Sequence, residues 1–334
     1  MKKLLSVCAA CCLLAVILSA ILIWHYLFLP IERPGRELII RIETGQTLSR
    51  IAWDLKEKEV IATPRLFVWL GRISGRSTGI QAGEFRINSG WSRWQLLEHL
   101  HSGTAILRKL QVPEGLTWWE IGALVEEAGL ASQEAFAEQV SNQRLLKAHN
   151  IPASTAEGFL FPETYFFHKQ DDGNAKQIVQ RMLEQFWQAV DGSIWTGSRP
   201  DKDRILQLVI LASLVEKETG LPEERRAIAG VFANRLERGM RLQCDPTVIY
   251  GLGRSFDGNL RKRDLRDEGN PYNTYTHSGL PPGPICSPGL ASLKAAADPA
   301  EHDYLYFVAT GDGGHHFSRT LKEHNRAVRK YQLQ

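Results

Sequence analysis

An apolar run, "LASLVEKETG" (residues 211–220), ends in two glutamates, Glu216 and Glu218, with one lysine between them. A carboxyl group at the end of a buried helix meets surroundings that disfavour its charged form and raise its pKa. A carboxyl that stays protonated near neutral pH can serve as a general acid. At about 100° per residue, "DRILQLVILASLVEKET" (203–219) spreads apolar side chains round most of a helix, the pattern of an element buried on several sides. On that plot Glu216 and Glu218 point roughly 200° apart and share no face. Glu216 lies nearer the middle of the apolar arc. The competing reading pairs both glutamates with Lys217, Arg225 or Arg226 at a solvated helix end.

Other elements must position these carboxyls. A helical pattern runs over 175–190, one over 203–219 and another over 222–238. Beyond residue 239 the chain turns rich in Gly and Pro, in "DPTVIYGLG", "GLPPGPICSPG" and "GDGGHH". Such loops build or cover sites on rigid scaffolds. "YLYFVAT" (304–310) reads as a buried strand and "SRTLKEHNRAVRKYQ" as a closing helix. Before them, "EGFLFPETYFF" (157–167) is dense in aromatics. "GDGGHH" follows a strand without opening a helix, so it is no phosphate loop. His315 and His316 are adjacent, a poor arrangement for two metal ligands on one strand. No metal and no cofactor are expected.

The N-terminal half carries a repeat. "LIIRIETGQTLSRIAWDLKEKEVIATPRLF" (38–67) reads as a strand, a Gly turn and a helix capped by Thr47. Seventy residues later the pattern returns in "LQVPEGLTWWEIGALVEEAGLASQEAFAEQV" (110–140): Ile42 matches Val112, Gly45 matches Gly115, Thr47 matches Thr117, Ile51 matches Ile121 and Leu66 matches Phe136. Two copies indicate a duplicated small α+β unit. Between them, "AGEFRINSGWSRWQLLEHLHSG" reads as strand, turn and helix.

Residues 4–30, "LLSVCAACCLLAVILSAILIWHYLFLP", contain no Asp, Glu, Lys or Arg. About 20 apolar residues suffice to cross a bilayer. Lys2 and Lys3 precede the run and place the N-terminus in the cytoplasm, the remainder outside. A cleaved signal peptide would have a shorter apolar stretch and a small-residue cleavage site, which "IWHYLFLPIERP" lacks. The segment therefore reads as an uncleaved single-span anchor at residues 1–30, followed by a polar linker at 31–37 with Pro34 and Gly35. Cys8, Cys11 and Cys12 fall inside the anchor; a disulfide between the other two, Cys244 and Cys286, is left open. The 334 residues allow two or three domains, and 43% apolar residues make most of the chain globular. A net charge of +3 is too small to indicate a nucleic-acid partner.

Two resemblances follow from these residues. "TGQTLSRIAWDL" resembles the core of LysM peptidoglycan-binding modules, with a structural spacer as the alternative role. "LVEKETGLPEERRAIAGVFANRLERGMRLQCDPTVIYGLG", "YNTYTHSGLPPGPICSPGLASLKAAADPAEHDYLYFVATGDGGHHFS" and "EGFLFPETY" resemble the endolytic murein transglycosylase, or YceG-like, family over about residues 150–330. The fold class expected is α+β: a transmembrane helix, a LysM-like α+β subdomain at 38–109, a second α+β unit or connector at 110–150, and a catalytic domain at 151–334.

The family resemblance implies cleavage of the bond between N-acetylmuramic acid and N-acetylglucosamine in nascent peptidoglycan, leaving 1,6-anhydro ends and terminating strand growth. It also implies peptidoglycan synthases, the penicillin-binding proteins, as partners, and a site on the outer side of the inner membrane. The catalytic glutamate it implies is the second of "EKET", Glu218, with Thr219 resembling the hydroxyl partner of other lytic transglycosylases. Lower in rank come Glu216, Gln243, Asp245, Thr247, Tyr250, Asn273 and Tyr275, as supporting or sugar-contacting groups; Tyr rings suit a pyranose because they combine an apolar face with a polar tip. A hydrolase would need a second carboxylate, for which Asp245, Asp264 and Asp267 are candidates. A non-catalytic wall-binding scaffold is the rival from another class.

Overall fold

The computed structural model describes residues 2–31, 35–43, 45–103, 105–169, 174–195 and 197–332, with the backbone alone for 2–10. The linker around Pro34 and the side chain of Cys8 lie outside these. The chain divides into two units, Met1–Arg108 with Phe166–Asp172, and Lys109–Tyr165 with Gly173–Gln334. Residues 110–150 belong to the second unit.

The first unit begins with α1 (Lys2–Phe28), an uninterrupted apolar helix whose Cys11–Phe28 stretch is long and apolar enough to cross a membrane. Then come β1 (Glu37–Ile42), α2 (Leu48–Glu57), α3 (Pro64–Ile73), β2 (Gly83–Asn88) and α4 (Arg93–Ser102). β1 and β2 pair antiparallel, with Ile40 opposite Phe85 and Leu38 opposite Ile87. Alternation along each strand turns Ile40, Ile42, Phe85 and Ile87 inward. There they meet Ile51, Leu55, Phe67, Leu96, Leu97 and Leu100 in one core. The core is closed by well-capped helices: Thr47 accepts from the Arg50 N–H, and Ser92 and Gln95 form a reciprocal capping box.

β3 (Leu107–Gln111) leads into α5 (Trp118–Glu127), α6 (Gln133–Val140) and α7 (Gln143–Ala148), and β3 pairs with β4 (Thr164–His168). The predicted repeat is visible in the backbone. Gly45 and Gly115 both sit at φ near +80°, a conformation costly for any residue with a Cβ. Thr47 and Thr117 both cap the following helix, and Ile51 and Ile121 are both buried. The correspondence fails at its last position: Phe136 is buried while Leu66 is exposed.

The rest of the second unit comprises α8 (Ala175–Val190), α9 (Lys202–Glu218), α10 (Arg225–Glu237), α11 (Asp245–Leu252), α12 (Leu290–Ala297), β5 (Tyr306–Ala309), β6 (His315–Ser318) and α13 (Leu321–Tyr331). The helices predicted at 175–190 and 203–219 agree with α8 and α9 to within a residue. α9 is capped by Asp201 and packed against α10, α11 and α12, which explains why its apolar residues surround it. β5 and β6 form an antiparallel hairpin. Its turn, with Gly311 and Gly313 at φ near +90°, brings His315 to the start of β6.

Candidate active site

α9 ends at Glu218, and the chain leaves it extended at Thr219. The two carboxylates of the predicted pair have different surroundings. Glu216 accepts the Gly289 N–H at 2.9 Å and lies 3.8 Å from the Arg225 guanidinium. It ties α9 to the loop ahead of α12. The Arg225 pairing foreseen for both glutamates thus holds for Glu216 alone. Arg226 instead binds Asp298, and Lys217 donates to the Gly115 carbonyl.

Glu218 is half-buried and has no ion pair to Lys217, Arg225 or Arg226. Burial raises its pKa above the ordinary carboxylate range, and the negative charge of Asp245 raises it further. Three groups act in the opposite sense: the Cys244 thiol, Arg235 and His315. Cys244 is itself buried, and burial together with Glu218 keeps it a thiol. Arg235 is held by its Nε to the Leu305 carbonyl (2.7 Å) and by Nη1 to the Leu242 carbonyl (2.5 Å). The acid thus has neighbours that favour its protonated form and others that stabilise the anion once it forms.

Asp245 opens α11, and its carboxylate accepts the Tyr275 hydroxyl at 2.5 Å. This pair is the part of the lower-ranked set that stands beside Glu218: Asp245 raises the pKa of Glu218, and both carboxylates raise that of Tyr275. Gln243 has φ +51° with an exposed side chain; its N–H donates to the Thr274 carbonyl. A non-glycine residue in the left-handed region is a local strain next to the site.

Thr219 departs from the expected pairing. Its hydroxyl donates to Glu224 at 3.1 Å and accepts the Leu221 N–H at 3.0 Å, so it faces away from Glu218 toward a second acid. Glu224 also accepts from the His315 backbone N–H and from His315 Nδ1, both at 2.7 Å. Burial opposes its ionisation, but these hydrogen bonds outweigh burial and hold its carboxyl below the usual range.

Thr247 and Asn273 are fully buried, which removes them from direct sugar contact. The Thr247 hydroxyl donates to the Cys244 carbonyl (2.6 Å) and meets the Thr274 hydroxyl (2.9 Å). Asn273 donates to the Asp264 and Asp267 carbonyls and accepts the Tyr275 N–H. Both hold the loops that carry Cys244, Asp245 and Tyr275. The Asp264 and Asp267 carboxylates serve local turns, accepting the Arg261 and Gly269 N–H groups. Tyr250 donates its hydroxyl to buried Glu157 at 3.1 Å, and its ring stands between Trp119 and Tyr272. Cys244 and Cys286 are both free: Cys286 donates to the Ser213 carbonyl.

Sequence reasoning missed Glu224, Arg235 and Glu157, saw Cys244 only as a disulfide candidate and set His315 aside as a poor metal ligand. Glu157 had a signal, a carboxylate at the head of an aromatic-rich stretch. Arg235 and Glu224 had none, because their partners lie about seventy to ninety residues away. An apolar hollow lined by Trp195, Leu208, Leu211, Leu236, Leu280 and Pro299 among others lies against the N-terminal half of α9 and has no carboxylate in its lining. It is not the chemical centre.

The model of the YceG-like family matches residues 40–330. An endolytic murein transglycosylase of Bacillus subtilis strain 168 is 35% identical over 321 residues, spanning 90% of this chain and 87% of the relative. One of Streptococcus pneumoniae D39 is 27% identical, spanning 91% of this chain and 60% of that longer relative. The crystal structure of a putative yceG-like protein of Listeria monocytogenes aligns with a TM-score of 0.57 at 30% identity, over 87% of this chain and 99% of that one. The architecture, the buried acid at the end of α9 and these matches together make the chain a member of the YceG-like family.

Proposed function

We propose that the protein is an endolytic murein transglycosylase in which Glu218 alone moves both protons. The observation that carries this reading is a carboxyl group at the end of α9 whose pKa burial raises, beside a thiol and a guanidinium that favour its anion. Protonated Glu218 donates to the glycosidic oxygen as the bond from the muramic anomeric carbon breaks, and positive charge develops on that carbon. The carboxylate, favoured now by the Cys244 thiol, Arg235 and His315, takes the proton of the muramic C6 hydroxyl. The C6 oxygen closes on the anomeric carbon and leaves a 1,6-anhydro end. No water enters, and Glu218 finishes protonated.

A second reading, hydrolysis, has one observation in its favour: Asp245 is a second carboxylate beside Glu218. The test is the mass of the products. Full-length protein in detergent is incubated with purified glycan strands. Anhydro ends, lighter by one water than reducing ends, support the transglycosylase. Reducing-end muramic acid supports the hydrolase, and binding without cleavage supports a scaffold.

The α1 helix supports a single-span anchor with the N-terminus in the cytoplasm and both units outside the inner membrane. That tether holds the site where new strands emerge, close to peptidoglycan synthases, the penicillin-binding proteins expected as partners. The β-α-α-β order of the first unit supports its LysM-like reading, as a spacer between anchor and catalytic domain. A reporter fused after residue 334 tests the topology: activity confined to the cytoplasm overturns it.

A further inference from the structure

The unit that carries the anchor leaves several large apolar side chains uncovered. On α3, Leu66, Trp69 and Ile73 are 47%, 55% and 61% exposed, and their spacing puts them on one stripe. Beside them Trp53 of α2 is 44% exposed, with Ser49, Trp53, Arg65, Trp69 and Arg72 lining a shallow groove between the two helices. The other face of α3, with Phe67 and Leu70, is buried in the core. Folding of this unit is therefore complete without the stripe. Its charge is one-sided: between Glu59 and Glu84 there is no acidic residue, and Arg65, Arg72 and Arg76 are the charged side chains.

The start of α3 meets the last turn of α1 directly, and the segment past its far end reaches α1 through α4. At the start, the hydroxyl of Thr63, the residue capping α3, meets the Tyr26 hydroxyl at 2.9 Å. At the far end, Arg76 lays its guanidinium 4.7 Å from the Trp94 ring, whose centroid is 6.3 Å from that of Phe28. Arg93, the first residue of α4, donates to the Tyr26 carbonyl at 3.0 Å with its guanidinium over the Tyr26 ring. α3 thus starts at the level where α1 ends. That level carries Trp24, Tyr26 and Phe28, the aromatic residues typical of a membrane–water boundary.

We propose that the exposed stripe of α3, with Trp53, rests in the outer interface of the bilayer that α1 crosses. Leu66, Trp69 and Ile73 enter the boundary of the acyl chains, and Arg65 and Arg72 meet anionic phosphate headgroups. An exposed apolar stripe flanked by basic residues is the composition of an interfacial helix. The proposal rests on α1 being membrane-spanning. It adds a second point of attachment to the one made by α1, which limits how far β1, β2 and the helices between them can tilt.

The test uses the full chain in nanodiscs of phosphatidylethanolamine and phosphatidylglycerol, with the photo-crosslinker p-benzoylphenylalanine replacing Trp24, Trp69 or Arg86, one at a time. Arg86 is exposed on the outward face of the sheet. Lipid adducts are expected from positions 24 and 69 and not from 86. Adducts from 24 alone overturn the docking and leave the anchor standing. Absence of adducts from 24 as well refutes the anchor and the docking together. Equal labelling at 69 and 86, or crosslinks from 69 to added glycan strands or to a second copy, also overturns it. Arg65→Gln and Arg72→Gln should each lower the phosphatidylglycerol share of the adducts from position 69 by about fivefold; an unchanged share overturns the headgroup contact.

Discussion

The thiol of Cys244 stands beside the carboxyl group of Glu218. Two segments that are separate in the chain meet there, the end of α9 and the residue before α11. The thiol favours the ionised form of Glu218 against a burial that favours the neutral one. Cys244→Ala removes the donor, so the pKa of Glu218 should move further up. Activity that needs protonated Glu218 is lost as pH rises through that pKa, and the basic limb of the kcat profile should therefore shift to higher pH. Cys244→Ser keeps a donor and should shift it less. A limb that moves to lower pH in the alanine variant would contradict the role assigned to the thiol.

Glu218→Gln preserves shape and removes the exchangeable proton. Cleavage should fall by about 10²- to 10⁴-fold, the range typical of a lost general acid, with strand binding retained. Glu216→Gln should behave differently. Its amide oxygen can still accept the Gly289 N–H, but Arg225 loses its charge partner, so the effect should appear as lowered thermal stability with most activity kept. Rates on purified strands and melting curves of both variants decide. An inactive Glu216→Gln that melts like wild type, beside an active Glu218→Gln, reverses the assignment.

Asp245 distinguishes the two chemistries. Its negative charge raises the pKa of Glu218, so Asp245→Asn should lower that pKa and move the basic limb to lower pH, with anhydro products unchanged. If Asp245 were the base of a hydrolase, the same substitution would abolish turnover at every pH. Product masses and a pH–rate series on one variant separate these outcomes.

The regular part of this protein was legible because each element announces itself locally. Thr47, Thr117, the apolar circumference of α9 and the alternation in β1 depend on neighbours within a few residues. The acid itself was chosen by resemblance; helical phase alone favoured Glu216, whose central position is explained by its tie to Gly289 and Arg225. Phase reports burial and not the partner, so it could not tell a pinned carboxylate from a free one. Thr247 and Asn273 drew attention as polar residues in Gly- and Pro-rich loops, yet such loops need internal hydrogen bonds of their own, and both side chains supply them. The Thr219–Glu224–His315 chain was out of reach because it closes across about ninety residues.

Glu157 gives a prediction about stability. It is 1% exposed and accepts the Trp118 and Gly158 N–H groups and the Tyr250 hydroxyl. Burial dominates over these donors and pushes its pKa to about 8, from 4.5 for an ordinary glutamate. The folded state therefore holds a proton that the unfolded chain releases at lower pH. Stability linked to this group is greatest below about pH 4.5, falls as pH rises, and stops changing above about pH 8, where both states have lost the proton. The slope is at most about 1.4 kcal/mol per pH unit. Glu157→Gln cannot ionise and has no such slope. Melting curves of the two proteins, taken in steps from about pH 5 to about pH 8, should show the variant gaining on wild type throughout the interval. A constant difference between them would mean that Glu157 is ionised in the fold, held by its three donors against burial.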